Sequence, residues 1–152
     1  MKKIIAIILG LAMLLCSCAE TKPMLYNWGY NSSSKNATEY EALLYDNYHS
    51  QSPESVCALL VQYEYMVTHP GGQRKVVPPG ICAEYAYLLL NPETPNTFLN
   101  HATKKQKETF GAMSDYSAMF REKGLQLFQK EMELYPESSV FIEPLVRKFS
   151  QH

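Results

Sequence analysis

The chain has 152 residues, 46% hydrophobic and 19% charged, with fourteen basic and fifteen acidic side chains for a formal net charge of −1. That length suits one domain with a core of its own. The near-neutral balance excludes nucleic acid or another polyanion as the expected partner, because such binding needs a concentrated basic surface.

The N-terminus reads as an export signal: Met1-Lys2-Lys3 supplies positive charge, Ile4 to Leu15 is a twelve-residue apolar run with one glycine, and Leu15-Cys16-Ser17-Cys18 closes it. As a helix the run reaches about 18 Å, short of a hydrocarbon core of about 30 Å, so a processed signal is expected rather than a permanent span. The closing residues resemble a bacterial lipobox, in which a small residue precedes the cysteine that is acylated and becomes the mature N-terminus. The resemblance implies lipidation, such as palmitate, at Cys18, which has Ser17 before it and Leu15 at the leucine position; Cys16 has bulky Leu15 in front. The bilayer is then a partner through the acyl chains. The next residue is Ala19 rather than the aspartate that resembles an inner-membrane retention signal, which implies the outer membrane and leaves open whether the domain faces the periplasm or the outside. An ordinary secretory signal is the alternative.

Removing residues 1–17 as signal peptide leaves 135 of the 152 residues; Lys2 and Lys3 go with it, so twelve basic side chains remain against fifteen acidic, a charge of −3. Residues 18–37 read as a lipidated tether. It carries one aromatic patch, Tyr26, Trp28 and Tyr30, able to stack on a sugar ring or a partner; the plainer expectation is that it folds back over the first helices.

Residues 38–152 are expected to be an α-helical domain. Thr38-x-x-Glu41 is a capping box, followed by Tyr40, Leu43, Leu44 and Tyr48 on one face. Ser52-Pro53 starts a second helix with Val56, Leu59, Leu60, Tyr63 and Met66 or Val67 at helical steps, ending at His69-Pro70-Gly71-Gly72. Gly80 to Leu90, opened by Pro78-Pro79, is apolar on nearly every side and reads as a central, buried helix closed by Asn91-Pro92. Two further starts, Thr94-Pro95 and Thr103-x-x-Gln106, make residues 95–113 helical with a broken beginning. Ser114 is the expected cap of the longest helix, whose stripe is Tyr116, Met119, Phe120, Gly124, Leu127, Phe128 and Glu131, with Tyr135-Pro136 as its end. A last helix from Ser138 or Ser139 offers Val140, Phe141, Leu145, Val146 and Phe149 for burial, with Pro144 as a kink or the true first turn. No run alternates as a strand would. The expected fold class is all-α, a tetratricopeptide-like array of helical hairpins with about five to six helices.

Export makes Cys57 and Cys82 a possible disulfide, but an antiparallel hairpin turning near residues 69–78 offsets them by roughly 11 Å, beyond the ~7 Å limit between bridged Cα atoms. Two buried free thiols are expected.

Gly124, Phe128 and Pro136 resemble the small, aromatic and proline positions of a tetratricopeptide repeat, and Tyr85-Ala86 resembles its leucine-glycine pair. In an uninterrupted repeat the small residue of the first helix would fall at Ala112, whereas Ala86 lies 26 residues earlier. Either an insertion at about 91–114 splits one repeat, or the likeness is to helical hairpins in general. Leu25-Tyr26-Asn27-Trp28-Gly29, Val77-Pro78-Pro79-Gly80, and Phe128-Gln129-Lys130-Glu131 with Tyr135-Pro136-Glu137-Ser138 resemble stretches of a group of small bacterial lipoproteins known only as domain-of-unknown-function family 4810. Its members are similar to products encoded beside a curli-secretion-channel-like lipoprotein and a second small lipoprotein. The resemblance implies a non-catalytic accessory subunit of a cell-envelope assembly, with other envelope lipoproteins as partners.

Enzyme chemistry finds little footing. There are two aspartates, Asp46 and Asp115, and four histidines with no His-x-x-x-His or other metal spacing; no Gly-x-Ser-x-Gly elbow is present, and Gly71-Gly72-Gln73-Arg74-Lys75 lacks the ending of a phosphate loop. Cys57 and Cys82 stand in apolar stripes. Glu39, Glu41, Glu54, Glu108, Glu122 and Glu133 sit at helix starts or opposite the apolar face. Neither catalytic residues, nor a metal, nor a cofactor is expected. A glycan- or peptidoglycan-contacting module using Tyr26, Trp28 and Tyr30 is the alternative function.

Overall fold

A computed structural model describes residues 24–29 and 38–151. The export signal, Cys18, the start of the tether and Tyr30 lie outside the described residues. The described chain is an all-α array of seven helices: α1 Glu39–Ser50, α2 Pro53–Thr68, α3 Ile81–Leu89, α4 Thr94–His101, α5 Lys104–Phe110, α6 Ser117–Leu134 and α7 Ser139–Ser150, with a short 3-10 turn at Pro136–Ser138. None of the described helices is long and apolar enough to cross a membrane.

The local starts are those that short-range chemistry dictates. Thr38 and Glu41 close the expected capping box at α1, Ser52 caps α2 with Pro53 at its first position, and Thr103 with Gln106 forms a second box at α5. Each box satisfies two backbone donors that would otherwise be orphaned. The stretch 95–113 is therefore two short helices broken at Ala102 and Thr103. The longest helix starts later than expected. Ser114 is not its cap; α6 begins at Ser117, whose amide donates to Asp115 Oδ1 at 2.8 Å. An Asx turn one residue on gives the backbone the same satisfaction while placing Tyr116, fully buried, under the helix start.

The helices pack as antiparallel neighbours. Tyr40 meets Tyr63 and Asn47 meets Ser55, which sets α1 against α2. Cys57 Sγ lies 3.8 Å from the Thr97 carbonyl and Glu54 faces His101, which lays α4 along α2. In the central pair, Gly80 bonds Glu131 at one end and Leu90 presses on Gly124 at the other, so α3 and α6 run in opposite directions. A Cβ on Gly124 would stand 2.6 Å from Leu90 Cγ. The pair thus closes on a glycine, and α4 and α5 are an excursion between two helices that pack on each other.

Two apolar faces are less covered than their periodicity implies. On α1, Tyr40 is buried but Leu44 is 37% and Tyr48 80% exposed. Among the described residues α1 is an end helix with α2 as its main neighbour, so only one edge of its stripe is used. On α7, Val140 and Phe141 are each 76% exposed, and burial falls instead on Ile142, with Leu145, Val146 and Phe149 half-buried. Pro144 stands within α7, which continues past it to Ser150.

Residues 24–29 fold back over the domain. The amides of Gln73 and Arg74 donate to the Met24 and Leu25 carbonyls at 3.0 Å, Asn27 Nδ2 donates to the His69 carbonyl, and the Glu39 amide donates to the Gly29 carbonyl. Gly72 has φ +74°, and a Cβ there would lie 2.6 Å from Leu25 O, so this crossing needs glycine.

Candidate functional site

Buried tyrosines, the buried Glu64 and the exposed Glu84 join α1, α2, α3 and α6. Tyr40 and Tyr63 both donate to Glu84 Oε2 on α3, the Tyr63 bond being 2.8 Å. One residue on along both helices, Tyr85 donates to Glu64 Oε2 at 2.8 Å while Lys123 Nζ of α6 donates to Glu64 Oε1 at 2.7 Å. Burial first, and the adjacent carboxylates second, push all three phenols well above the ordinary tyrosine value. They stay protonated donors, and their chemistry here is to hold helices in register.

Glu131 of α6 sits under the start of α3. Gly80 precedes that helix in the left-handed region, φ +86°, with no side-chain cap, and its amide donates to Glu131 Oε1 at 2.7 Å. Glu131 Oε2 is buried without a hydrogen-bond partner among the described residues. Burial raises this carboxyl above its ordinary value, against the opposing pull of the Gly80, Ala83 and Cys82 amides. A carboxylate from another helix thus supplies the cap that α3's own sequence lacks.

Outside this seam lies a trough running along α3. One part, of about 460 Å³, is walled by Leu44 and Asn47 of α1, Leu88 of α3 and Leu145 of α7, with Tyr63 and Glu84 at its base. The other, of about 540 Å³ at the end of α3, is formed by Leu90, Pro95, Arg121, Lys148 and Phe149. Tyr87 and Asn91 belong to both, and Tyr87 is 56% exposed. Volumes of this order fall in the range of ligand pockets, and the walls are mainly apolar with a few polar groups, as such pockets are.

Of the sequence-expected contact residues, Tyr26 and Trp28 are half-buried and already engaged. Trp28 stacks on Tyr40 with centroids 6.1 Å apart and meets Tyr26 edge-on at 6.3 Å; Arg74 lies 5.8 Å from the Tyr26 ring. Tyr30 and Cys18 lie outside the described residues. Cys57 and Cys82 are buried free thiols, pushed up to about 11 and about 12, first by burial and then by Glu54 and Glu131 respectively. A thiol so placed is protonated near neutral pH and a poor nucleophile.

Sequence reasoning passed over Glu64, Glu84, Lys123, Arg121 and Lys148. Glu131 it placed within the apolar stripe of α6, which was the signal available: a carboxylate at a core position needs a buried donor. Comparison with protein-family models, with curated proteins and with solved structures finds no match.

Proposed function

We propose that this chain is a membrane-anchored lipoprotein, acylated at Cys18 and held at the outer membrane, acting as a non-catalytic protein-interaction subunit of a cell-envelope assembly of the curli-secretion-channel-like kind. The trough along α3 carries the reading: a half-open, largely apolar channel between helices, with Tyr87 standing out of it, offers a surface for another polypeptide. The export signal and the lipobox-like cysteine support the proposed location. The tyrosine–carboxylate seam behind the trough has its three phenols and Lys123 each bonded to a carboxylate, which suits a rigid scaffold.

The glycan-contacting alternative draws less support, because Trp28 has one ring face against Tyr40 and receives the edge of Tyr26, leaving little of the indole for a sugar. Crosslinking a tagged chain in cells, followed by identification of the attached proteins, tests the proposal. Recovery of other envelope lipoproteins in near-equal amounts is expected; recovery of the chain alone, or with cell-wall fragments only, overturns it. For the anchor, Cys18→Ala is expected to give a chain that carries no labelled palmitate and no longer sediments with the outer membrane; retained label moves the lipidation elsewhere.

A further inference from the structure

We infer that the α3 end of the trough seats an extended, acidic polypeptide segment of the partner, one that places an apolar side chain next to a carboxylate. This inference rests on the interaction-subunit reading and assigns the chemistry of its partner.

The first observation is charge. Arg121 of α6 and Lys148 of α7 both line the 540 Å³ cavity. The ion pairs among the described residues are Glu54 with His101, Glu64 with Lys123 and Glu143 with Arg147, so neither cation has a carboxylate of the described chain within 4.0 Å. Lys148 Nζ is held 5.6 Å from the centroid of Phe149, and Phe149 meets Tyr87 edge-on at 6.2 Å, which keeps the ammonium beside the apolar wall. Two cations without a carboxylate partner among the described residues, beside an apolar depression, complement a ligand that is apolar and anionic at once.

The second observation selects a polypeptide over a fatty acid or another single-chain anion. Asn91 stands where the two parts of the trough meet. Its Oδ1 accepts the Glu93 amide at 3.0 Å, and its Nδ2 has no acceptor among the described residues, so this exposed side chain keeps a donor to offer. A main-chain carbonyl passing over the junction would accept from it; an acyl chain has no such group at that depth. The continuation of the channel toward Leu44 and Leu145 gives a second apolar position for a residue further along the same segment.

Selection from a random peptide display library on the full acylated chain in phosphatidylethanolamine nanodiscs, alongside Arg121→Glu/Lys148→Glu, tests this. On the native chain, bound peptides are expected to be enriched several-fold in Asp or Glu beside Leu, Phe or Met, relative to empty nanodiscs. On the charge-reversed chain the enrichment is expected to turn to Lys or Arg, and on Arg121→Lys/Lys148→Arg to persist. No enrichment over empty nanodiscs, or the same enrichment on both chains, overturns the inference, as does laurate binding to the native chain that outcompetes the selected peptides and is lost on Arg121→Glu/Lys148→Glu. A photocrosslinking residue at Tyr87 or at Tyr48 in cells separates the two levels of the argument. A partner caught at Tyr48 but not at Tyr87 leaves the subunit reading standing and removes the trough; a partner caught at Tyr87, lost on charge reversal and carrying the acidic-apolar pattern at its crosslinked segment, supports both.

Discussion

Two aromatic clusters hold this domain, and they are built differently. Between α1, α2 and α3, Trp28, Tyr40, Tyr63 and Tyr85 follow one another with centroids 6.1, 5.7 and 5.5 Å apart, and the last three send their hydroxyls to Glu84 and Glu64. Where α4, α5 and the start of α6 meet, Phe98 packs edge-on against Phe110, Tyr116 and Phe120 at 5.1 to 5.5 Å with no carboxylate among them. In the first cluster a slip of one helix along another breaks hydrogen bonds in a buried place. In the second it costs mainly contact area and edge geometry, the Tyr116 hydroxyl being tied to the Gly111 backbone carbonyl rather than to a side chain of another helix. The tyrosine cluster therefore specifies register, while the phenylalanine cluster fastens the α4–α5 excursion chiefly by burial, beside bonds from Tyr116 and Lys107 to the Gly111 and Leu99 carbonyls.

Truncation should separate them most sharply. Phe98 is fully buried, and Phe98→Ala is expected to cost about 3–5 kcal/mol in urea unfolding, the range for a large ring lost from a packed core. Glu64→Leu comes next, about 2–3 kcal/mol, because Tyr85 and Lys123 lose their acceptor together and Tyr85 is fully buried. Adding Tyr85→Phe to Glu64→Leu should recover about 1 kcal/mol by removing the orphaned hydroxyl. A double variant no more stable than the single one would mean that the seam's hydroxyls find water and that register comes from ring packing. Tyr63→Phe keeps the ring and leaves Glu84, itself exposed, to solvent, so about 1 kcal/mol is expected.

Much of the fold was legible before any coordinate. The two capping boxes and the Ser52-Pro53 start are local chemistry that tertiary structure rarely overrides, and they stand where the sequence put them. The break within residues 95–113 was visible for the same reason. What periodicity could not convey is which elements have neighbours. Tyr48 and Phe141 continue apolar stripes, yet α1 is an end helix and α7 turns Ile142 inward instead, so both rings are left in solvent. Nor could spacing pair α3 with α6 across the α4–α5 excursion; that contact joins Gly80 to Glu131, 51 residues apart. The trough was illegible for a related reason, since Arg121, Lys148 and Asn91 lie on separate elements and carry no motif.

Gly124→Ala probes the central pair. Its new methyl would meet Leu90 Cγ at 2.6 Å, and Leu90 is 7% exposed, so it has little room to move. Overpacking of about 1–3 kcal/mol is offset by the ~1 kcal/mol that alanine gains over glycine within a helix. A net loss of about 1 kcal/mol is expected, and a gain would show that Leu90 yields at this crossing and that α3 and α6 do not need a glycine to close on each other.

The smallest expected effect is a pH dependence confined to Glu131, and it asks whether the α3 start behaves like the tyrosine seam or like a plain buried site. Burial holds this carboxyl above its ordinary value, near 4.3 in the unfolded chain. The folded state therefore binds the proton more readily, so Glu131 contributes most to stability below the unfolded value, and that contribution is lost as pH rises through the folded one. Glu41 and Asp115, lowered by the Thr38 and Ser117 amides respectively, act in the opposite sense, losing stability as pH falls through their folded values. Only the difference between the native chain and Glu131→Gln isolates the site. Glutamine keeps an oxygen for the Gly80 amide and carries no charge, so urea unfolding followed by the single tryptophan, Trp28, should find the variant gaining on the native chain as pH rises from about 4 to about 7. If the native chain instead gains on the variant over that range, the amides of α3 outweigh burial, and the ionised carboxylate is the form that caps the helix.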